Sequence, residues 1–177
     1  AGDLLAREAA ALEVGGADLL LICANTMHKV ADRVEGAVGI PLLHLADATA
    51  RAVRSAGATT VGLLGTRFTM EQTFYRDRLA QHGLVVRTPP ADDRDELHRI
   101  IYDELCQGVV EDGSRTFCDR LVADFAEQGC EGVVLGCTEL ELILDPDDDS
   151  PVPLFATTRI HVQAAVDAAL AVQRSEQ

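Results

Sequence analysis

One supersecondary unit is written twice in this chain, and the duplication constrains the fold more than any other feature. The stretch GADLLLICANT (16–26) is followed by IPLLHLADAT (40–49), and GCEGVVLGCTE (129–139) is followed by VPLFATT (152–158). Each copy reads helix, Gly, short apolar run, Cys, Thr-containing turn, Pro-led apolar run, helix. Short apolar runs bounded by Gly and Pro read as strands, and here they alternate with segments of helical periodicity such as LLAREAAALEV. The pattern predicts an α/β chain with strands near 18–23, 40–45, 59–64, 84–87, 131–136 and 152–156. Helices are predicted near 3–14, 25–36, 47–56, 70–82, 93–107, 114–128, 138–144 and 158–173. Strands separated by helices pair in parallel under helical layers, and parallel sheets take ligands beyond the carboxyl ends of their strands.

A repeated unit predicts two pseudo-symmetric lobes. Residues 1–46 are assigned to the remainder of a first α/β lobe, 47–157 to a second, and 158–177 to a C-terminal helix packing back on the first. The two copies differ in what precedes them. The second has strands and helices of its own lobe ahead of it, whereas Cys23 has a single helix. The difference of about 50 residues, two strands with their helices, reads the first lobe as N-terminally truncated. The alternative is a naturally shorter first lobe, which would leave an exposed sheet edge.

Composition excludes several function classes. A hydrophobic content of 47% over 177 residues supports a buried core. Fifteen Lys and Arg against 29 Asp and Glu give a formal charge of -14, and 4% aromatic residues offer little for base stacking, so nucleic acid is not an expected partner. There is no apolar run of membrane-spanning length and no basic-then-apolar leader, which predicts a cytoplasmic protein without a membrane partner. Five cysteines, odd in number and without a CxxC pair, match neither a disulfide framework nor a zinc site.

Cys23 and Cys137 each end an apolar run and open a turn. A lone cysteine in such a place usually packs in a core; two at equivalent positions argue for chemistry. Amide groups opening the next helix would favour the thiolate, and Asn25, Thr26 and Thr138 suit N-caps that can also hold a small polar ligand. Thiols from two facing lobes suit stereochemical inversion, one removing a proton from a carbon and the other delivering one to its opposite face. Cys106, Cys118 and Cys130 lie in or beside helices without polar partners and read as packing residues. His28 either supports Cys23 from behind or faces outward from a helix. His44 either faces the cleft or is buried and hydrogen-bonded. Arg67, beside Thr66, either meets a substrate carboxylate or is a solvated loop arginine. The acidic run DPDDDS (145–150) lacks the glycine and glutamate of a calcium loop and reads as a solvated turn.

The motifs CANTMH and GCTEL, with LLGTRFTMEQTFY and HRIIYDELCQGV between them, resemble the aspartate/glutamate/hydantoin racemase superfamily, in its aspartate racemase and broad-specificity amino-acid racemase branch. The resemblance covers essentially the whole chain. It implies two α/β lobes, a homodimer, and a racemase that needs no cofactor, pyridoxal phosphate included. It makes Cys23 and Cys137 the acid/base pair. It places Asn25, Thr26, Thr138 and Glu139 around the carboxylate and ammonium of an amino-acid substrate, with a hydroxyl from Thr66; His28 and Arg67 stay candidates for supporting roles on position alone. The implied reaction interconverts L- and D-aspartate or a related small polar amino acid. Maleate isomerisation, hydantoin racemisation and a non-catalytic amino-acid-binding remnant are the alternatives. Glu139 stands where glutamate racemases carry histidine, which points away from that branch. The family's opening strand with its Gly-rich turn, and an arginine that grips a carboxylate, have no counterpart in these residues.

Overall fold

The computed structural model describes residues 1–175. Helix α1 spans Gly2–Val14; a 3-10 turn, Thr26–Val30, runs into α2, Ala31–Glu35; α3 spans Leu45–Ser55. Then follow β1 (Thr60–Gly65), α4 (Arg67–Glu71), α5 (Thr73–Gln81), β2 (Val85–Arg87) and α6 (Ala91–Arg99). A π turn at Ile100–Glu104 and a 3-10 turn at Leu105–Gln107 continue α6 before α7 (Asp112–Glu127). The chain ends with β3 (Val133–Gly136), a 3-10 turn (Thr138–Leu142), β4 (Leu154–Ala156) and α8 (Thr157–Ser175).

The strands form one parallel sheet in the order β2-β1-β3-β4, with Gly65 opposite Gly136 at the carboxyl ends of the central pair. Alternation along each strand fixes what lies on the two faces. Val61, Leu63 and Val134 join α3 and α5 through Val53, Tyr75 and Leu79. Leu64, Val133 and Leu135 join α6, α7 and the π turn through Leu97, Ile101 and Phe125. Burial on both faces is what the unbroken apolar runs VGLLG and VVLG require. Phe125 crosses the sheet so closely that a Cβ on Gly62 would stand 2.4 Å from its ring. Cys118 and Cys130 are buried in the same core, as the sequence suggests.

The chain leaves β1 toward β2 on one side and returns with β3 on the other. The carboxyl ends of β1 and β3 are therefore a topological switch point, where such sheets open a crevice. Thr66 follows β1 directly, and Cys137 follows β3.

Several predicted elements differ. The runs near 18–23 and 40–45 are not strands: they share one parallel bridge, Leu20 to Leu42, held by Leu20 N–H to the Pro41 carbonyl and Leu43 N–H to the Leu20 carbonyl. Among the described residues neither run pairs with a further strand, so the bridge is not extended into a ladder, and Leu20 packs with Ala9 and Val34 of α1 and α2. The predicted 70–82 helix begins earlier and breaks at Gln72, whose ψ is 148°. The predicted 25–36 and 138–144 helices open as 3-10 turns. Helix α8 lies against α3, β3 and β4, and His161 on it donates from Nε2 to the Leu43 carbonyl at 2.8 Å. The end of the 158–177 segment, residues 176–177, lies outside the described residues.

Candidate active site

A cleft of about 300 Å³ opens at the switch point. Its walls come from the two copies of the repeated unit and from the turn that follows α6. The first copy supplies Cys23, Ala24, Asn25 and Thr26; the second supplies Gly136, Cys137, Thr138 and Glu139; β1 contributes Thr66. Seven sequence-predicted site residues thus share one cavity.

The two thiols differ in setting. Cys23 is exposed, whereas Cys137 is 8% exposed and donates from Sγ to Glu139 Oε2 at 2.9 Å. Thr138 Oγ1 donates to the same oxygen at 2.7 Å. Burial first, then the hydrogen bond to Glu139 and the charge of that carboxylate, push the Cys137 thiol well above the usual cysteine range. For Glu139, burial works upward, but the donors Cys137 and Thr138 outweigh it and hold the carboxyl below its ordinary value. The expectation of a thiolate stabilised by a helix terminus is corrected at Cys137. Only a five-residue 3-10 turn follows it, and burial beside a carboxylate overrides so short a dipole.

The polar residues of the first copy bond to residues that follow β4 and β1. Asn25 Nδ2 donates to Thr157 Oγ1 at 3.1 Å, and Thr157 Oγ1 donates to the Leu135 carbonyl at 2.8 Å. Asn25 therefore caps nothing through its side chain, and its Oδ1 is buried without a hydrogen-bond partner among the described residues. Thr138 is likewise inside its turn, where Cys137 holds the cap position. The hydroxyl of Thr26 lies 3.5 Å from that of Thr66 and 3.3 Å from that of Thr69, a residue the sequence reading did not single out.

Two predicted supporting residues stand apart from the cleft. Arg67 opens α4 facing outward, its Nη1 3.0 Å from Asp95 Oδ1 and its backbone N–H donating to His98 Nδ1. His28 is buried behind the Asn25 turn and bonds to backbone on both sides. His44 is also buried, accepting the Ala46 N–H as the cap of α3. In the acidic run, Asp145 and Asp147 pair with Arg159.

The third wall was missed. Ile101, Tyr102 and Cys106 line the cleft, and Tyr102 and Cys106 are exposed. Cys106 is therefore not a packing residue. Its helix widens into the π turn at Ile100–Glu104, which keeps Ile100, Ile101 and Leu105 in the core while Tyr102 and Cys106 reach the cavity. The only sequence trace is their i, i+4 spacing. Among the described residues no three His, Cys, Asp or Glu side chains converge on a point that could hold a metal ion. No helix there is long and apolar enough to cross a membrane.

Comparison with known proteins agrees with this fold. The structure superposes on that of a candidate Asp/Glu racemase from Yersinia pestis with a TM-score of 0.91 and 48% identity, covering 96% of this chain and 74% of that one. It matches an aspartate racemase homologue from Pyrococcus horikoshii OT3 with a TM-score of 0.88 and 37% identity, over 95% and 74% of the two chains. In sequence it is 23% identical over 165 residues to the broad specificity amino-acid racemase RacX of Bacillus subtilis, covering 92% of this chain and 69% of that protein. The profile of the Asp/Glu/hydantoin racemase family matches residues 1–165, and the chain belongs to that family.

Proposed function

We propose that the protein is an amino-acid racemase in which Cys23 and Cys137 exchange the α-proton of the substrate. The observation that supports this most is the meeting of both repeat cysteines in one cleft, flanked by Asn25, Thr26, Thr66, Thr138 and Glu139. In one direction the Cys23 thiolate takes the α-proton as its sulfur forms the S–H bond, and the electron pair of the broken C–H bond passes into the substrate carboxylate. Cys137, which carries its proton toward Glu139, then delivers a proton to the opposite face and is left as thiolate. Turnover of the other enantiomer runs the roles in reverse, or solvent resets them. Neither route requires a cofactor. The threonine hydroxyls and the free Asn25 oxygen are suited to the substrate carboxylate and ammonium, respectively.

The resemblance implies L- and D-aspartate or a related small polar amino acid as substrates, and a homodimer. The test is α-deuteration of L-aspartate and of a panel of neutral L-amino acids by the full-length protein in heavy water. Exchange at the α-carbon is expected in the wild type, and conversion of either enantiomer into the other should fall about a thousandfold or more in Cys23→Ala and in Cys137→Ala. Interconversion undiminished in either variant would show the acid/base assignment to be wrong.

A second reading follows from the unequal thiols. An exposed Cys23 facing a protonated Cys137 also suits addition of a thiolate to an activated double bond, as in maleate isomerisation. A covalent Cys23 adduct with maleate, seen by mass spectrometry, would favour it over racemisation.

A further inference from the structure

His28 lies one turn past Cys23, is 3% exposed, and does not line the cleft. Both of its ring nitrogens are taken by backbone. Nε2 accepts the N–H of Leu45, the first residue of α3, at 3.1 Å; Nδ1 stands 2.9 Å from the carbonyl of Ala24. An amide N–H can only donate and a carbonyl can only accept, so the proton must sit on Nδ1 and the ring must be neutral. Ala24 is the residue between Cys23 and Asn25, so this bond acts on the peptide that carries both site residues.

The surroundings favour the same state. The His44 ring lies 4.5 Å from that of His28, and the His161 ring lies 6.0 Å away. His44 Nδ1 accepts the Ala46 N–H, while His161 donates from α8 to the Leu43 carbonyl. Three imidazoles from three segments thus meet behind the cleft, each bonded to backbone. The Asp47 carboxylate, whose charge acts on both His28 and His44, is committed to Arg78 and His82. Burial lowers His28 to about 4, with the Ala24 bond opposing and His161 adding to the fall; burial and then His28 do the same for His44.

We propose that His28 is a positioning residue: a neutral Nδ1–H imidazole that clamps the Ala24 carbonyl to the first amide of α3 and so fixes where the Cys23 thiol and the Asn25 amide stand in the cleft. The role in catalysis rests on the reading of Cys23 as an acid/base; the clamp itself does not. Asn25 is tied to Thr157 on its other side, so the Cys23 segment is held at two points, and loss of either lets the thiol drift.

Two variants and one spectrum test this. His28→Leu keeps an apolar side chain and loses both hydrogen bonds. His28→Asn keeps an N–H donor close to the position of Nδ1. In the α-deuterium exchange assay, His28→Leu is expected to lower kcat by about tenfold to a hundredfold. His28→Asn should recover part of that loss even where the two variants melt at the same temperature. Long-range proton–nitrogen spectra of histidine-labelled wild type should show His28 at pH 6 as a neutral ring with its proton on Nδ1. A charged ring, or a proton on Nε2, overturns the clamp. Wild-type kcat in His28→Leu, or activity that merely follows melting temperature across the variants, overturns the positioning role. If the wild type exchanges no amino acid, the racemase reading fails and the catalytic role with it, while the spectrum still decides whether the clamp exists.

Discussion

Cys137 and Glu139 share one hydrogen bond, and burial together with that bond sets the resting state of the site: the thiol keeps its proton and the carboxylate keeps its charge. Replacing the carboxylate by an amide removes the charge and leaves the burial, so Glu139→Gln should lower the Cys137 pKa and expose more thiolate. Iodoacetamide labelling at pH 8, resolved by residue in a mass spectrometer, should then be several-fold faster at Cys137 and change less at the exposed Cys106, whose thiol is raised by burial first and only then by the Glu139 charge; slower labelling at Cys137 would contradict the pairing. Sequence spacing identified the two repeat cysteines and the polar residues beside them because a duplicated unit repeats its geometry. It could not give their protonation, which depends on how deeply each sulfur sinks and on which side chain turns toward it. Arg67 shows the same limit: adjacency to Thr66 says nothing of direction, and the first turn of α4 carries it out to Asp95.

At the scale of elements, β1 and β3 meet through paired glycines, Gly65 and Gly136, beside the cleft. A Cβ on Gly136 would lie 2.9 Å from the Leu64 carbonyl oxygen, and one on Gly65 would lie 2.9 Å from that of Gly136. Backbone oxygens in a central parallel ladder have no room to retreat, so Gly136→Ala should cost about 1–3 kcal/mol in urea unfolding. Gly113, in the first turn of α7, has nothing within 4 Å of its would-be Cβ, and Gly113→Ala should be neutral or stabilising by up to about 1 kcal/mol. Equal losses in the two variants would contradict the account of the strand contact. Helical periodicity located most helices, and apolar runs located all four sheet strands, because both signals come from burial on a fixed face. The π turn after α6 was illegible, since its extra residue is imposed by the core packing of Ile100, Ile101 and Leu105 and leaves no mark in the spacing. That is why Tyr102 goes unnamed and Cys106 reads as a packing residue in the sequence.

For the whole molecule, the sheet order puts Thr66 and Cys137 at one crevice, and the Cys23 segment is brought to it by bonds around three buried histidines. Those rings make stability depend on acid. In the unfolded chain a histidine takes up its proton near pH 6.5, whereas folded His28 and His44 resist to about 4. The contribution of these neutral rings is therefore fully present above pH 6.5 and is lost as the pH falls toward 4, by at most about 3 kcal/mol for each ring. Asp47 adds to the loss at still lower pH: burial would raise its carboxyl, but the bonds from Arg78 and His82 prevail and hold it well below the usual range. Urea unfolding at pH 7 and pH 4.5 measures this, and equal stability at the two values would contradict neutral buried rings. The duplicated motif announced the meeting of the two cysteines, but the runs near 18–23 and 40–45 read as strands because their composition is that of strands; a ladder needs neighbours, which apolar content alone does not supply. The central claim is that two thiols address opposite faces of one carbon, and early-time deuterium partition in heavy water tests it most directly. Starting from either enantiomer of an accepted amino acid, the enantiomer being formed should carry α-deuterium while the remaining starting enantiomer stays largely protiated; deuterium appearing equally in both from the outset would contradict the two-thiol account.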